Sequence, residues 1–157
     1  MRSLRVLVLE DIPYQLIAMH QVLNACGVFD VLTAQSFNAA CLSLEKRHGA
    51  DVAICEVTMA GLDMGELIRH LAATGLARAL ILYSNGSQSV EPLAALARQH
   101  RLPLLGVLYT PVSAVAVHGL LQDYQRRMDV QALLPLPDVH EISSCDGAWP
   151  LPLPLRP

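Results

Sequence analysis

The 157-residue chain has no cluster of Lys and Arg, and its 11 basic against 14 acidic side chains leave a net charge of −3. Nucleic-acid affinity rests largely on basic groups that displace counterions from phosphates, so direct nucleic-acid binding is excluded as the expected role, and no DNA-binding effector is visible. No apolar run approaches the about 18 residues that span a bilayer. Arg2 and Arg5 precede Val6 to Leu9, but Glu10 and Asp11 end that run far short of a signal-peptide core. The four cysteines, Cys26, Cys41, Cys55 and Cys145, have neither CxxC nor zinc-ligand spacing. Three of them lie in apolar element patterns, where a thiol packs as a small hydrophobe. These absences together lead us to expect a reduced, cytoplasmic protein with no membrane segment.

What the chain does have is apolar content of 53% and a positive mean hydropathy, enough to bury the core of one domain. Short apolar runs alternate with amphipathic patterns, the signature of βαβ units. Strands are expected at Arg5 to Leu9, Val28 to Thr33, Val52 to Cys55, Ala79 to Tyr83 and Leu104 to Leu108. Helices are expected between them, with Pro13 in the first turn of the first helix, Gly27 as its left-handed cap and Ser36 capping the second. The third helix is read over Glu66 to Leu76, the fourth from Gln88 or Ser89 to His100, and the last ends near Arg127. Five strands alternating with five helices predict an α/β, doubly wound, five-stranded parallel sheet of the flavodoxin-like kind, order 2-1-3-4-5. The domain is expected over residues 1–128. From Asp129 to Pro157, six prolines alternating in part with leucine forbid a helix or central strand, so residues 129–157 are read as an extended or disordered tail. His20, His70, His100 and His118 sit in helix patterns, where solvated or capping roles outweigh ligation.

Candidate chemistry gathers around Asp51 to Gly65. Val52, Ala53, Ile54 and Cys55 read as a buried strand, and Glu56 stands at its C-terminal end, where open parallel sheets collect ligands. Glu10 and Asp11 end the first strand, which this topology sets beside the third. Three carboxylates would then share one crevice, which is tolerated when they are protonated, solvated, or bridged by a hard cation such as Mg²⁺. An exposed acidic turn beside a helix N-terminus is the plainer reading of the Glu10 and Asp11 pair.

The runs LVLEDIPYQ, ADVAICEVTMAGLD, ALILYS and LLGVLYTP resemble, over about residues 4 to 126, the receiver domains of two-component response regulators (CheY-like). The closest likeness is to receivers that precede EAL-type cyclic-di-GMP phosphodiesterase domains. In that family an apolar strand leads to an acceptor Asp, two residues, then Met-Pro-x-Met-Asp-Gly. Met59, Gly61, Leu62 and Asp63 keep the pattern, whereas Glu56 holds the acceptor position and Ala60 replaces the proline. The resemblance implies that Glu10 and Asp11 hold Mg²⁺, with Glu56 and the Thr58 backbone completing the site. It also sets Ser84 where receivers carry a phosphoryl-binding hydroxyl, although a Ser ending a strand also serves simply as a turn former. Thr110 replaces the Lys of a cis Lys-Pro pair, and Val107 the switch aromatic.

Phosphoryl transfer relies on positioned cations around the equatorial oxygens. Here one cation is gone and the nucleophile is longer by a methylene. The expected reading is an atypical pseudo-receiver, acting by protein–protein contact and not phosphorylated. Glu56 would then act as a partial phosphate mimic, or belong to a degenerate site hydrogen-bonded to Ser84 or Thr110. A conventional phosphorelay receiver with residual Mg²⁺-dependent phosphorylation is the alternative. No EAL segment follows residue 126 in this sequence, so phosphodiesterase activity is not carried over, and the expectation is a stand-alone, non-enzymatic module. Expected partners are a histidine kinase, a phosphodiesterase, another signalling protein or a second copy, engaged through the fourth-helix, fifth-strand and fifth-helix face. A flavodoxin-like ligand-binding protein would want glycines or hydroxyls in the first strand-to-helix loop, but Glu10, Asp11, Ile12 and Pro13 would repel a phosphate there. A hydrolase with a carboxylate nucleophile on the same fold would want DxD spacing and a Lys, and neither is present.

Overall fold

Branched and bulky apolar side chains on both faces suit a strand held between two helical layers. In the computed structural model, Arg5–Leu9 forms β1, and its Val6 to Leu9 are wholly buried. The structure describes residues 3–59 and 61–133. After β1 come α1 (Pro13–Ala25), β2 (Asp30–Ala34), α2 (Phe37–Lys46), β3 (Ala50–Glu56), α3 (Met64–Thr74), β4 (Ala77–Ser84), α4 (Glu91–Gln99), β5 (Leu104–Tyr109) and α5 (Ala114–Leu133). All neighbouring strands pair in parallel in the order β2-β1-β3-β4-β5, the doubly wound sheet expected from the sequence. The order reverses between β1 and β3, so the C-terminal ends of these two strands flank the crevice.

Side chains alternate across each strand. Leu7, Leu9, Ala53, Cys55, Leu80 and Leu82 face one way and join Ala40, Leu44, Leu67, Ile68, Leu71 and Ala97 in the main apolar cluster. The intervening residues of β1, β3 and β4 face the side of α1 and α5, whose Met19, Leu23, Val117 and Leu121 are also buried. Cys26, at the end of α1, donates its thiol to the Ala114 carbonyl at 3.4 Å and so ties the end of α1 to the start of α5.

Local chemistry explains where the elements stop and where the sequence reading missed. Gly27 adopts φ 85° after α1, and Val28 closes that cap by donating to the Leu23 carbonyl. Val28 is thus spent on the helix end, and β2 starts only at Asp30. α3 begins two residues before the expected Glu66, because Asp63 accepts from the Glu66 amide at 3.1 Å and caps the helix. α5 runs to Leu133 rather than ending near Arg127. Between Asp129 and Leu133 there is no Gly or Pro, and the first proline, Pro135, restricts only its immediate predecessor. Of the described residues, those up to Gln125 belong to one compact unit, and Arg126 to Leu133 fall in a second one. The proline-rich stretch of the expected tail, from residue 134 on, lies outside the described residues.

Gly106 lets α5 approach β5 closely. A Cβ there would stand 2.8 Å from Leu120 Cδ2 and 3.1 Å from Cδ1. Gly106→Ala is expected to lower stability by about 1 kcal/mol through overpacking, and Leu120→Ala in the same chain should relieve part of that cost. Denaturant titration of the two single variants and the double variant checks the coupling.

Candidate functional site

The sheet register builds the site. Leu9 of β1 pairs with Cys55 of β3, and Glu56 pairs with Tyr83 of β4. One residue beyond Leu9, Glu10 is held level with them by its amide, which donates to the Ala34 carbonyl of β2 at 3.0 Å. Glu10, Glu56 and Tyr83 therefore stand side by side on one face of three successive strands. Glu10 is fully buried, and Glu56 and Tyr83 nearly so.

Both carboxylates are satisfied from within the chain. The Tyr83 hydroxyl donates a short hydrogen bond to Glu10 Oε1, and the Ile12 amide donates to Glu10 Oε2 at 3.0 Å. Glu56 Oε1 accepts from the Thr58 amide at 2.9 Å, and the Thr58 hydroxyl lies 2.6 Å from both Glu56 oxygens. Asp11 is half-buried, and one oxygen each from Glu10, Asp11 and Glu56 lie within 4.8 Å of one another. No Arg or Lys pairs with any of the three among the described residues. An all-oxygen, uncompensated donor set of this kind suits a hard divalent cation.

Burial, first of all, raises the pKa of Glu10. The Tyr83 and Ile12 hydrogen bonds work against that rise, and Asp11 and the charge of Glu56 add to it. Tyr83 is pushed up as well, by burial first and then by its bond to Glu10. For Glu10 the folded chain holds its proton more tightly than the unfolded one. The stability this brings is present below the ordinary carboxylate value of 4.5 and is lost as pH rises through the raised value. Glu10→Gln is expected to melt higher than the parent at neutral pH without divalent ions, and to flatten the decline of Tm with pH above 4.5. Thermal melts across that range check it.

The remaining residues singled out in the sequence fall around this cluster. Ser84 is wholly buried; its Oγ accepts from the Gly86 amide at 3.0 Å, and its carbonyl accepts from the Thr110 amide at 3.0 Å. Thr110 is exposed and is joined to Pro111 by a cis peptide. Val107 pairs with Leu82 in the sheet and is half-buried. The expected hydrogen bond from Glu56 to Ser84 or Thr110 is not formed. Thr58, two residues on, folds back and takes both oxygens, because a hydroxyl in the same turn reaches the carboxylate with less chain to order than one on another strand. The sequence reading also passed over Tyr83. Its place opposite Glu56 was the available signal: an aromatic hydroxyl in an otherwise aliphatic strand needs a buried partner.

No protein-family model matches the chain. It is 30% identical over 151 residues to the cyclic di-GMP phosphodiesterase RocR of Pseudomonas aeruginosa, a match that takes in 88% of this chain and 38% of RocR. The chain thus spans well under half the length of that relative. Among solved structures, a response regulator receiver domain protein from Clostridium thermocellum superposes with a TM-score of 0.67 at 22% identity, covering 82% of this chain and 98% of that one. The signal receiver domain of a modulated diguanylate cyclase from Desulfovibrio desulfuricans gives 0.68 at 21% identity, covering 83% and 99%. The structural neighbours are receiver domains of response regulators, and this chain has their fold, with five parallel strands in the order 2-1-3-4-5 and five helices. No helix among the described residues is long and apolar enough to cross a membrane.

Proposed function

We propose that this chain is an atypical receiver module of two-component signalling, one that works by protein–protein contact in the cytoplasm and is not phosphorylated at Glu56. The observation that carries the reading is the state of Glu56: a longer carboxylate than the family's Asp, nearly buried, with both oxygens clamped by Thr58. An attacking carboxylate must present a free oxygen to the phosphorus, and Thr58 competes for both. The family's Lys would neutralise the equatorial oxygens of a transferring phosphoryl group, and Thr110 supplies no charge there.

Glu10 and Asp11, with Glu56 and the Thr58 main-chain carbonyl, are the groups that would hold Mg²⁺. When bound, the ion would offset the mutual repulsion of the three carboxylates and fix their geometry. The retained acidic pair is what favours the second reading, a phosphorelay receiver with residual Mg²⁺-dependent phosphorylation. Contact with a kinase, a phosphodiesterase, another signalling protein or a second copy is assigned to the face of α4, β5 and α5. In its support, β5 is one of the two edge strands of the sheet, and Leu104, Leu105 and Val107 on it are only half-buried.

Sedimentation velocity with Mg²⁺, with and without beryllofluoride, tests the proposal. The profiles are expected to superimpose. A shift to a new species with beryllofluoride would favour the phosphorelay reading instead.

A further inference from the structure

Glu10 is the innermost member of the acidic cluster, and its Oε1 is held by a group that no motif in the sequence required. Tyr83 projects from β4, one strand beyond Glu56, and its hydroxyl crosses to Glu10. Glu10 Oε2 is occupied by the Ile12 amide at 3.0 Å. A cation approaching Glu10 must therefore share or displace a hydrogen bond at whichever oxygen it takes. The amide belongs to a backbone fixed by the start of α1, and the amide of Leu16 donates to the Ile12 carbonyl at 3.0 Å. The phenol is the partner able to yield. Its ring walls a cavity of about 460 Å³ lined also by Tyr14, Met19 and Val22, which offers space for it to withdraw.

We propose that Tyr83 is a positioning residue that competes with a divalent cation for Glu10, so that the chain carries its own neutral substitute for the ion. The proposal rests on the reading that the cluster accepts Mg²⁺. A hydroxyl donor satisfies a buried carboxylate without adding charge, and a carboxylate that has lost such a donor gains more from a cation. The device makes the cluster stable in ion-free conditions at the expense of ion affinity.

The test uses the full chain and Mn²⁺ or Mg²⁺ alone as probe. Isothermal titration compares the parent, Tyr83→Phe and Asp11→Asn. Tyr83→Phe keeps the ring and its packing and removes only the donor. It is expected to bind Mn²⁺ on the order of tenfold more tightly than the parent, the equivalent of one hydrogen bond to a charged group, while melting lower in chelator. Asp11→Asn should weaken binding relative to the parent. If the parent binds and Tyr83→Phe binds equally or less well, Tyr83 is structural and the inference fails while the cation site stands. If no variant binds, the cation reading falls and takes the inference with it. Should Tyr83→Phe not fold, the parent still decides the matter. The Tyr83 ring resonances are expected to shift when Mg²⁺ saturates the site, and unmoved resonances at saturation overturn displacement.

Discussion

Treated with acetyl phosphate and Mg²⁺, the chain is expected to keep its unmodified intact mass, whereas a Glu56→Asp/Thr110→Lys double variant should acquire a phosphoryl group. Two obstacles separate the native sequence from that chemistry. The Glu56 oxygens are engaged by Thr58 at 2.6 and 2.9 Å, so attack on phosphorus first costs those hydrogen bonds. No cation stands at Thr110, although the backbone there is already in place: its amide donates to the Ser84 carbonyl and it precedes a cis proline. Shortening Glu56 by one methylene draws the carboxylate back from the Thr58 hydroxyl. A lysine at 110 restores a charge whose value to a developing oxyanion is on the order of 3 kcal/mol, or about 100-fold in rate. Each single variant should fall between the parent and the double variant. A stoichiometric acyl phosphate on Glu56 of the parent chain would sink the reading outright.

Charge placed on the outer surface of α5 should weaken association at least tenfold. Val117, Leu121 and Tyr124 are turned into the domain, whereas Val115 is 83% exposed and Ala116 is also open to solvent. From Val112 to Tyr124 the only charged side chain is Asp123, and an apolar helix surface of this kind costs free energy in water unless something covers it. Val115→Glu and Ala116→Glu would bury an unpaired carboxylate in any complex formed there. The dissociation constant for a second copy or a captured partner is expected to rise tenfold or more. Because neither residue packs in the core, the unfolding free energy should stay within about 0.5 kcal/mol of the parent. Unchanged binding with both substitutions would move the interface elsewhere.

Much of the fold was legible in the residues because each element carries its own local cause. Val6 to Leu9 and Val52 to Cys55 are apolar on both faces, which only a covered parallel sheet accommodates. Ser36 caps α2 by accepting from the Ala39 amide at 3.1 Å, as its position before an apolar stripe predicts. The misses were at boundaries, where neighbours compete for the same residues. Val28 was claimed by the α1 cap rather than by β2, and Asp63 opened α3 before its apolar stripe began. The helical reach of α5 to Leu133 was hidden because the prolines beyond it dominate the composition, while a proline's steric effect extends only a residue or so upstream.

At the site, the sequence by itself determined which groups are present: Glu10 and Asp11 after the first strand, Glu56 at the end of the third, and Thr110 before Pro111. Strand alternation and order were enough to bring the carboxylates to one crevice, since periodicity is a property of each strand alone. Tertiary structure alone decided what those groups do to one another. That Thr58 rather than Ser84 holds Glu56, and that Tyr83 reaches Glu10 across an intervening strand, depends on register between β3 and β4 and on which hydroxyl a closed turn brings within 3 Å. Hydrogen-bond choice is settled by differences of a few tenths of an ångström between competing donors, and such differences arise only when all three strands are packed together.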